Sequence, residues 1–369
     1  MKPPRLFVLF ACLVMLGCGK KPDPQPQAPV PQTPAEPTSP QDPASQPSQP
    51  EAPPVSPAPE PPAPASLTAQ QQQWKLWLVD FVSEDRNAKA DAAEQLAGLS
   101  ADQTQELAVF MQDESDAVRR GAALFLRERF TAQDQTLAKV FLAALDDPDR
   151  QVRSFSLAAA HNFSSEQLQA AAPRLIASLK RLGEEEANNR VSSVRLLANS
   201  SETGQEEPNS LLIEALQSSL QNDPADKVRS ACLMGLVRLA PPPHTVPLLR
   251  RTLREDASAK VRGLAAIRLA KLGLPARAAI EDLGAALEDR EESVQKQAAR
   301  TLVVFGKDSL PVLTPRLSSA AATTRLWALW ALENLGPAAR SAEPQIRQRL
   351  QDSDPRVQAV AQRILARWK

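Results

Sequence analysis

The chain has 369 residues, with 43 Lys or Arg against 43 Asp or Glu, 34 Pro, three Cys, two His and no Tyr. Neutral balance excludes a global basic footprint for nucleic acid, and three Cys exclude a fold built on disulfides. With aromatics at 4%, a core must be made of Leu, Ala, Val and Ile, which suits packed helices better than β-sandwiches.

Lys2 and Arg5 precede an apolar run from Leu6 to Leu16, followed by Gly17-Cys18. A charged start, a short apolar stretch and a small residue before a break form a secretory signal. Eleven helical residues rise only about 16 Å, roughly half the hydrocarbon thickness, so the run is too short to span a bilayer. Met15-Leu16-Gly17-Cys18 resembles the lipobox of bacterial lipoproteins. The resemblance implies a signal peptide over residues 1–17 and a lipid-modified Cys18 that anchors an exported protein to the membrane. Several acyl chains on one Cys hold firmly, whereas a single chain binds only marginally. Gly19 replaces the Asp that resembles an inner-membrane retention signal in Gram-negative lipoproteins. In such a host the expectation is the periplasmic side of the outer membrane.

Residues 18–66 are expected to form a disordered tether. Eighteen of the 34 prolines fall between Lys21 and Ser66, with only Val30 and Val55 as strongly hydrophobic residues. Such a segment buries too little apolar area to offset its ordering entropy. Pro-rich chain extends at about 3.1 Å per residue, so the 46 residues reach at most about 140 Å. A spacer that holds the following domain off the membrane fits this composition; a PxxP-type ligand is the other reading.

From Leu67 onward helical periodicity takes over, and a unit repeats. Asp113, Asp147, Asp223, Asp256, Asp289 and Asp352 each stand five residues before a Val, at 118, 152, 228, 261, 294 and 357. Glu186 with Val191 and Ser319 with Thr324 are degenerate copies, and Ser83 with Ala88 opens the array. The spacing of 30–39 residues between anchors is that of a solenoid. Val261, Ala265, Leu269 and Leu272 share one helical face, as do Val228, Cys232, Leu236 and Leu239. Gly273, Gly306 and Gly336 close these helices as αL caps, while Asp149 and Asp354 stand at N-cap positions. Leu211, Leu212, Ala215 and Leu216 mark one of the preceding helices, and Ile346 and Leu350 another. Each pair has two apolar faces and buries both only by stacking on its neighbours.

This Asp-x4-Val-Arg pattern on the second of two short helices resembles HEAT repeats, in particular the short bacterial kind found in phycobilin-lyase-like proteins. The resemblance covers residues 67–369 and implies an all-α superhelix of about eight to nine helix pairs. It further implies an inter-repeat ladder in which Asp223, Asp256, Arg229 and Arg262 link neighbouring units. Plain capping and a solvated Arg is the alternative for any one pair.

No catalytic or metal constellation appears. His161 and His244 lie far apart without Cys or His at ligand spacing, and there is no phosphate loop or nucleophile elbow. Cys232 reads as a small buried hydrophobe. Trp327 and Trp330 stand at the core margin of the copy at Thr324, either as a partner-binding hot spot on a concave surface or as packing near Ile346. Trp74 and Trp77 seal one end of the stack and Trp368 the other, and Ser200–Asn209 forms a protruding loop. The expected function is a membrane-anchored scaffold for other proteins of the cell envelope, without cofactor or nucleic acid. An enzyme or chromophore-attachment factor of the lyase-like HEAT class is the alternative.

Overall fold

The computed structural model describes residues 67–200 and 210–368. The expected signal peptide, Cys18, the Pro-rich tether and nearly all of the expected loop at 200–209 lie outside them. The described residues are helical, without strands, and run as nine pairs. These are α1 (Ala69–Phe81) with α2 (Arg86–Ala97), α3 (Ala101–Glu106) with α4 (Asp116–Arg127), and α5 (Gln135–Ala144) with α6 (Arg150–Ala159). Next come α7 (Ser165–Ser178) with α8 (Ala187–Ser200), α9 (Ser210–Asn222) with α10 (Asp226–Leu239), and α11 (Pro242–Glu255) with α12 (Ala259–Leu272). The last are α13 (Ile280–Ala286) with α14 (Glu292–Val304), α15 (Leu310–Arg316) with α16 (Ala322–Leu335), and α17 (Glu343–Gln348) with α18 (Pro355–Trp368).

Local chemistry sets where these helices start. The Asp149 carboxylate accepts the backbone N–H groups of Gln151 and Val152 at the head of α6, and Asp85 does the same for α2. Thr68, Ser100 and Ser164 each form a capping box with a Gln three residues on. The glycine terminators differ from the expected αL caps. Gly273 and Gly336 have φ of 61°, but ψ of −135° and −131°, a region essentially closed to any residue with a Cβ. They turn the chain sharply into the next unit.

Second helices pack neighbour to neighbour from α4 through α6, α8, α10, α12, α14 and α16 to α18, and first helices touch one another less. The second helices thus make the continuous layer of the stack, here termed its inner face. Val228, Cys232, Val261, Ala265, Leu269, Val294, Ala298 and Leu302 are fully buried along this seam. Each large aliphatic side chain so buried contributes about 1.5–3 kcal/mol.

Two units depart from the sequence register. In α8 the buried anchor is Asn189, with Val191 only half-buried two residues further on. Asn189 tolerates the site because its amide donates to the Arg150 carbonyl and to Glu186, both at 3.2 Å. In the first unit it is α1, and not the helix beginning near Ala88, that stacks on α4. The contact is tight because Gly121 of α4 has no side chain: a Cβ there would stand 2.1 Å from the Leu78 carbonyl oxygen. Trp74 and Leu78 of α1 are buried in this joint, whereas Leu211, expected on an apolar face, is exposed and leaves Leu212, Leu216 and Leu220 to face inward.

Candidate partner-binding face

The four residues expected in a ladder all lie at joints between units. Arg229 donates through Nε and Nη2 to the two carboxylate oxygens of Asp256, both at 2.9 Å. Arg262 grips Asp289 in the same way at 2.7 Å, and Asp223 receives Arg190 at 2.7 and 2.9 Å. Arg119 with Asp147, Arg153 with Glu186, and Arg325 with Asp352 complete the series. The remaining guanidinium nitrogen is used as well. Arg229 Nη1 donates to the carbonyls of Asp223 and Pro224 at 2.9 and 3.1 Å, closing the turn of its own unit. Asp256 likewise accepts the backbone N–H of Ser258 at 2.8 Å. Planar, five-donor Arg serves this double task, which the point charge of Lys does not.

The rungs shift their own titration. Burial, the largest influence on Asp289, pushes its carboxyl up. The Arg262 hydrogen bond, the Glu291 N–H and nearby cations outweigh it and hold the group below the ordinary carboxylate range. Asp352 behaves alike, with Arg325 and the Asp354 N–H overcoming desolvation. Asp256 and Asp289 in turn raise Arg229 and Arg262. Behind this layer the buried Cys232 thiol is pushed up to about 12 by desolvation first and Asp223 second. A thiol in that state is unreactive.

One joint lacks a charged rung. Gln295 stands where the arginine is expected and Ser319 where the next Asp is expected. Gln295 Nε2 keeps the turn-closing bond to the Asp289 carbonyl at 2.6 Å, but its buried Oε1 meets no donor. The Thr324 hydroxyl crosses the joint instead and donates to the Leu287 carbonyl at 3.0 Å. At the amino end Asp113 is met at 2.7 Å by Lys75 from α1.

Because the ladder arginines are held in structure, the outward side chains of the second helices are what a ligand meets. Trp327 and Trp330 of α16 stack edge to face with centroids 5.9 Å apart, both half-buried against the core. Counted from the anchor of each helix, they occupy the positions of Ser192 and Arg195 in α8 and of Ala231 and Met234 in α10, which line an open groove. That register places the Trp pair on the inner face of the stack. Among the described residues no three His, Cys, Asp or Glu converge as metal ligands. Sequence reasoning missed the charge of this face. The eight second helices from α4 to α18 together carry twenty Lys or Arg and four Asp or Glu, a segregation that a whole-chain balance conceals.

Stacked pairs with buried inter-unit ion pairs define an α-solenoid with one layer turned inward. The profile of HEAT repeats matches residues 213–303 and 246–333, so the units there are HEAT repeats, and the same stacked geometry continues on both sides of them. Among solved structures, Kap121p bound to the SUMO protease Ulp1p is 16% identical, with a TM-score of 0.56 over 81% of this chain and 37% of that one. Kap121p bound to the extreme C-terminus of the phosphatase Cdc14p is 14% identical, with a TM-score of 0.56 over 81% and 38%. Kap95p, described as binding RanGDP, is 14% identical, with a TM-score of 0.51 over 81% and 50%. The chain thus spans half or less of these karyopherins, and the likeness is one of fold. No curated protein matches.

Proposed function

We propose that this protein is a membrane-anchored scaffold of the bacterial cell envelope, which holds partner proteins against the inner face of its solenoid and performs no chemistry of its own. The coarser part, a HEAT-repeat solenoid suited to protein interaction, follows from the fold. The observation that carries the finer part is how the polar groups of the second helices are used: six acidic–arginine rungs are consumed in joining units, while the Trp pair and the outward cations face away from the joints. Half-buried tryptophans in a polar surround are the side chains that dominate measured protein interfaces. The karyopherins of similar fold are captured with protein partners, which supports the same use here. The anchor rests on the lipobox-like residues 15–18 and the Pro-rich stretch to residue 66.

Photocrosslinking in intact cells tests this reading. A photoreactive residue at Trp330 is expected to capture one or a few discrete protein partners, and the same residue at exposed Lys139 on α5 is not. Equal yields at both positions, or none at Trp330 and at every other inner position, would overturn it.

A further inference from the structure

An opening on the inner face lies between α8 and α10. It holds about 860 Å³ and is floored by Val191, Ala231, Met234 and Val237. Met234 is 38% exposed. Three arginines stand around that floor: Arg195 from α8, Arg238 from α10 and Arg268 from α12. No carboxylate is present among the described residues that line it. Arg195 and Arg268 enter no ion pair described here, in contrast to the ladder arginines, and the enclosed Nε of Arg268 meets no hydrogen-bond acceptor. Arg238 donates only to the neutral side-chain oxygen of Asn199, at 2.5 Å.

We propose that this groove binds an acidic, partly apolar peptide segment of the partner protein, with carboxylates on the cations and apolar side chains on Met234 and its neighbours. The proposal rests on the scaffold reading and names the chemistry of what is held. Two features select a peptide over other polyanions. A single apolar floor between two helices suits the ridge of an amphipathic segment. Nucleic acid calls instead for stacking aromatics or a long phosphate track, and the described lining contains no aromatic ring other than His161. Paired to carboxylates, the three arginines set register and partner choice, while the floor supplies the salt-resistant share of affinity.

The test uses the full chain and fluorescence anisotropy with three probes. They are a labelled 14-residue peptide alternating Glu with Leu in helical register, its Lys-for-Glu counterpart, and a single-stranded oligonucleotide of similar charge. Anionic phospholipid vesicles are examined alongside by cosedimentation. The acidic peptide is expected to bind, to weaken as salt rises, and to lose about tenfold or more in affinity in Arg195→Glu/Arg238→Glu/Arg268→Glu. Lys139→Glu, on the outer layer, is expected to leave binding unchanged. Met234→Gln keeps the charge and makes the floor polar, and is expected to weaken the peptide at high salt as well as low. The groove assignment falls if the triple variant binds as tightly as Lys139→Glu, or if the acidic peptide binds no better than its basic counterpart. Tighter binding of the oligonucleotide or the vesicles than of the peptide also overturns it. Crosslinkers at Met234 and Trp330 separate the two readings. Capture at Trp330 without capture at Met234 overturns the groove and leaves the scaffold standing; capture at no inner position overturns both.

Discussion

Arg190 and Asp223 form the most deeply enclosed ion pair between described units. Their side chains are 0% and 1% exposed, and the two nitrogens stand 2.7 and 2.9 Å from the carboxylate oxygens. A third nitrogen closes the preceding turn on the carbonyls of Arg181 and Gly183 at 2.6 and 2.8 Å. Removing one partner leaves an uncompensated buried charge, which costs about 3–5 kcal/mol. Arg190→Ala is therefore expected to lower the urea unfolding midpoint strongly. Arg251→Ala breaks a pair with Glu255 that is about half exposed on each side and is expected to cost at most about 0.5 kcal/mol. Similar losses in the two variants would refute this account of the ladder.

The joint without a charged rung offers a reciprocal experiment. Gln295→Arg alone places a cation opposite Ser319 and is expected to destabilise by about 1–3 kcal/mol. Adding Ser319→Asp supplies the missing fork, and the double variant is expected to recover most of that loss or exceed wild type. The coupling energy from the double-mutant cycle should be about 1–3 kcal/mol in favour of the pair. A coupling near zero would mean that the fork cannot form there.

Acid should loosen the rungs in a defined window. Asp289 and Asp352 are held below the ordinary carboxylate range in the folded chain. Their contribution is fully present above the unfolded value, about 3.9, and is lost as pH falls through the lower folded value. Urea midpoints measured from pH 6 to pH 2.5 should fall below about pH 4, and Asp289→Asn should be less stable at pH 6 yet flatter across the range. An Asp289→Asn curve parallel to wild type throughout would contradict the assignment.

Gly121 is expected to admit no larger residue. Its missing Cβ faces backbone, the Leu78 carbonyl, and not the end of a yielding side chain. Gly121→Ala must push α1 away from α4, at a cost of about 1–3 kcal/mol. Hydrogen exchange should show the loss concentrated in residues 69–81, where wild type protects Leu78. Uniform protection in the variant would show that α1 is not held through this contact.

Membrane attachment is tested at Cys18, the expected lipid site. Cys18→Ala is expected to move the protein from the membrane to the soluble fraction of disrupted cells. Retention in membranes after an alkaline wash would exclude the lipid anchor.

Much of the fold was legible because its periodicity is redundant. Six Asp–Val spacings and repeated steps of four, four and three gave the pairing of helices before any coordinates. What failed did so where polar chemistry replaced an apolar marker. Asn189 holds the buried slot of α8 through hydrogen bonds, and the nearest Val, the repeat's apolar marker elsewhere, lies two positions away at 191. The rung to Glu186 survives that slip, because the longer Glu side chain still reaches Arg153. At the amino end, burial of Trp74 and Leu78 put α1 on α4, a choice set by shape at Gly121 and invisible to periodicity. The basic groove escaped notice because charge was summed over the chain and not over one layer of it.

The Gln295–Ser319 exchange has a mechanical meaning. Six joints are held by buried acid–arginine rungs, while this one is held by the neutral Thr324–Leu287 bond together with two more exposed pairs, Arg277–Asp308 and Arg316–Glu288. The groove between α8 and α10 and the Trp pair on α16 stand on opposite sides of it, so a ligand spanning both crosses the joint whose interior is fastened by a hydroxyl and not by a buried charge pair.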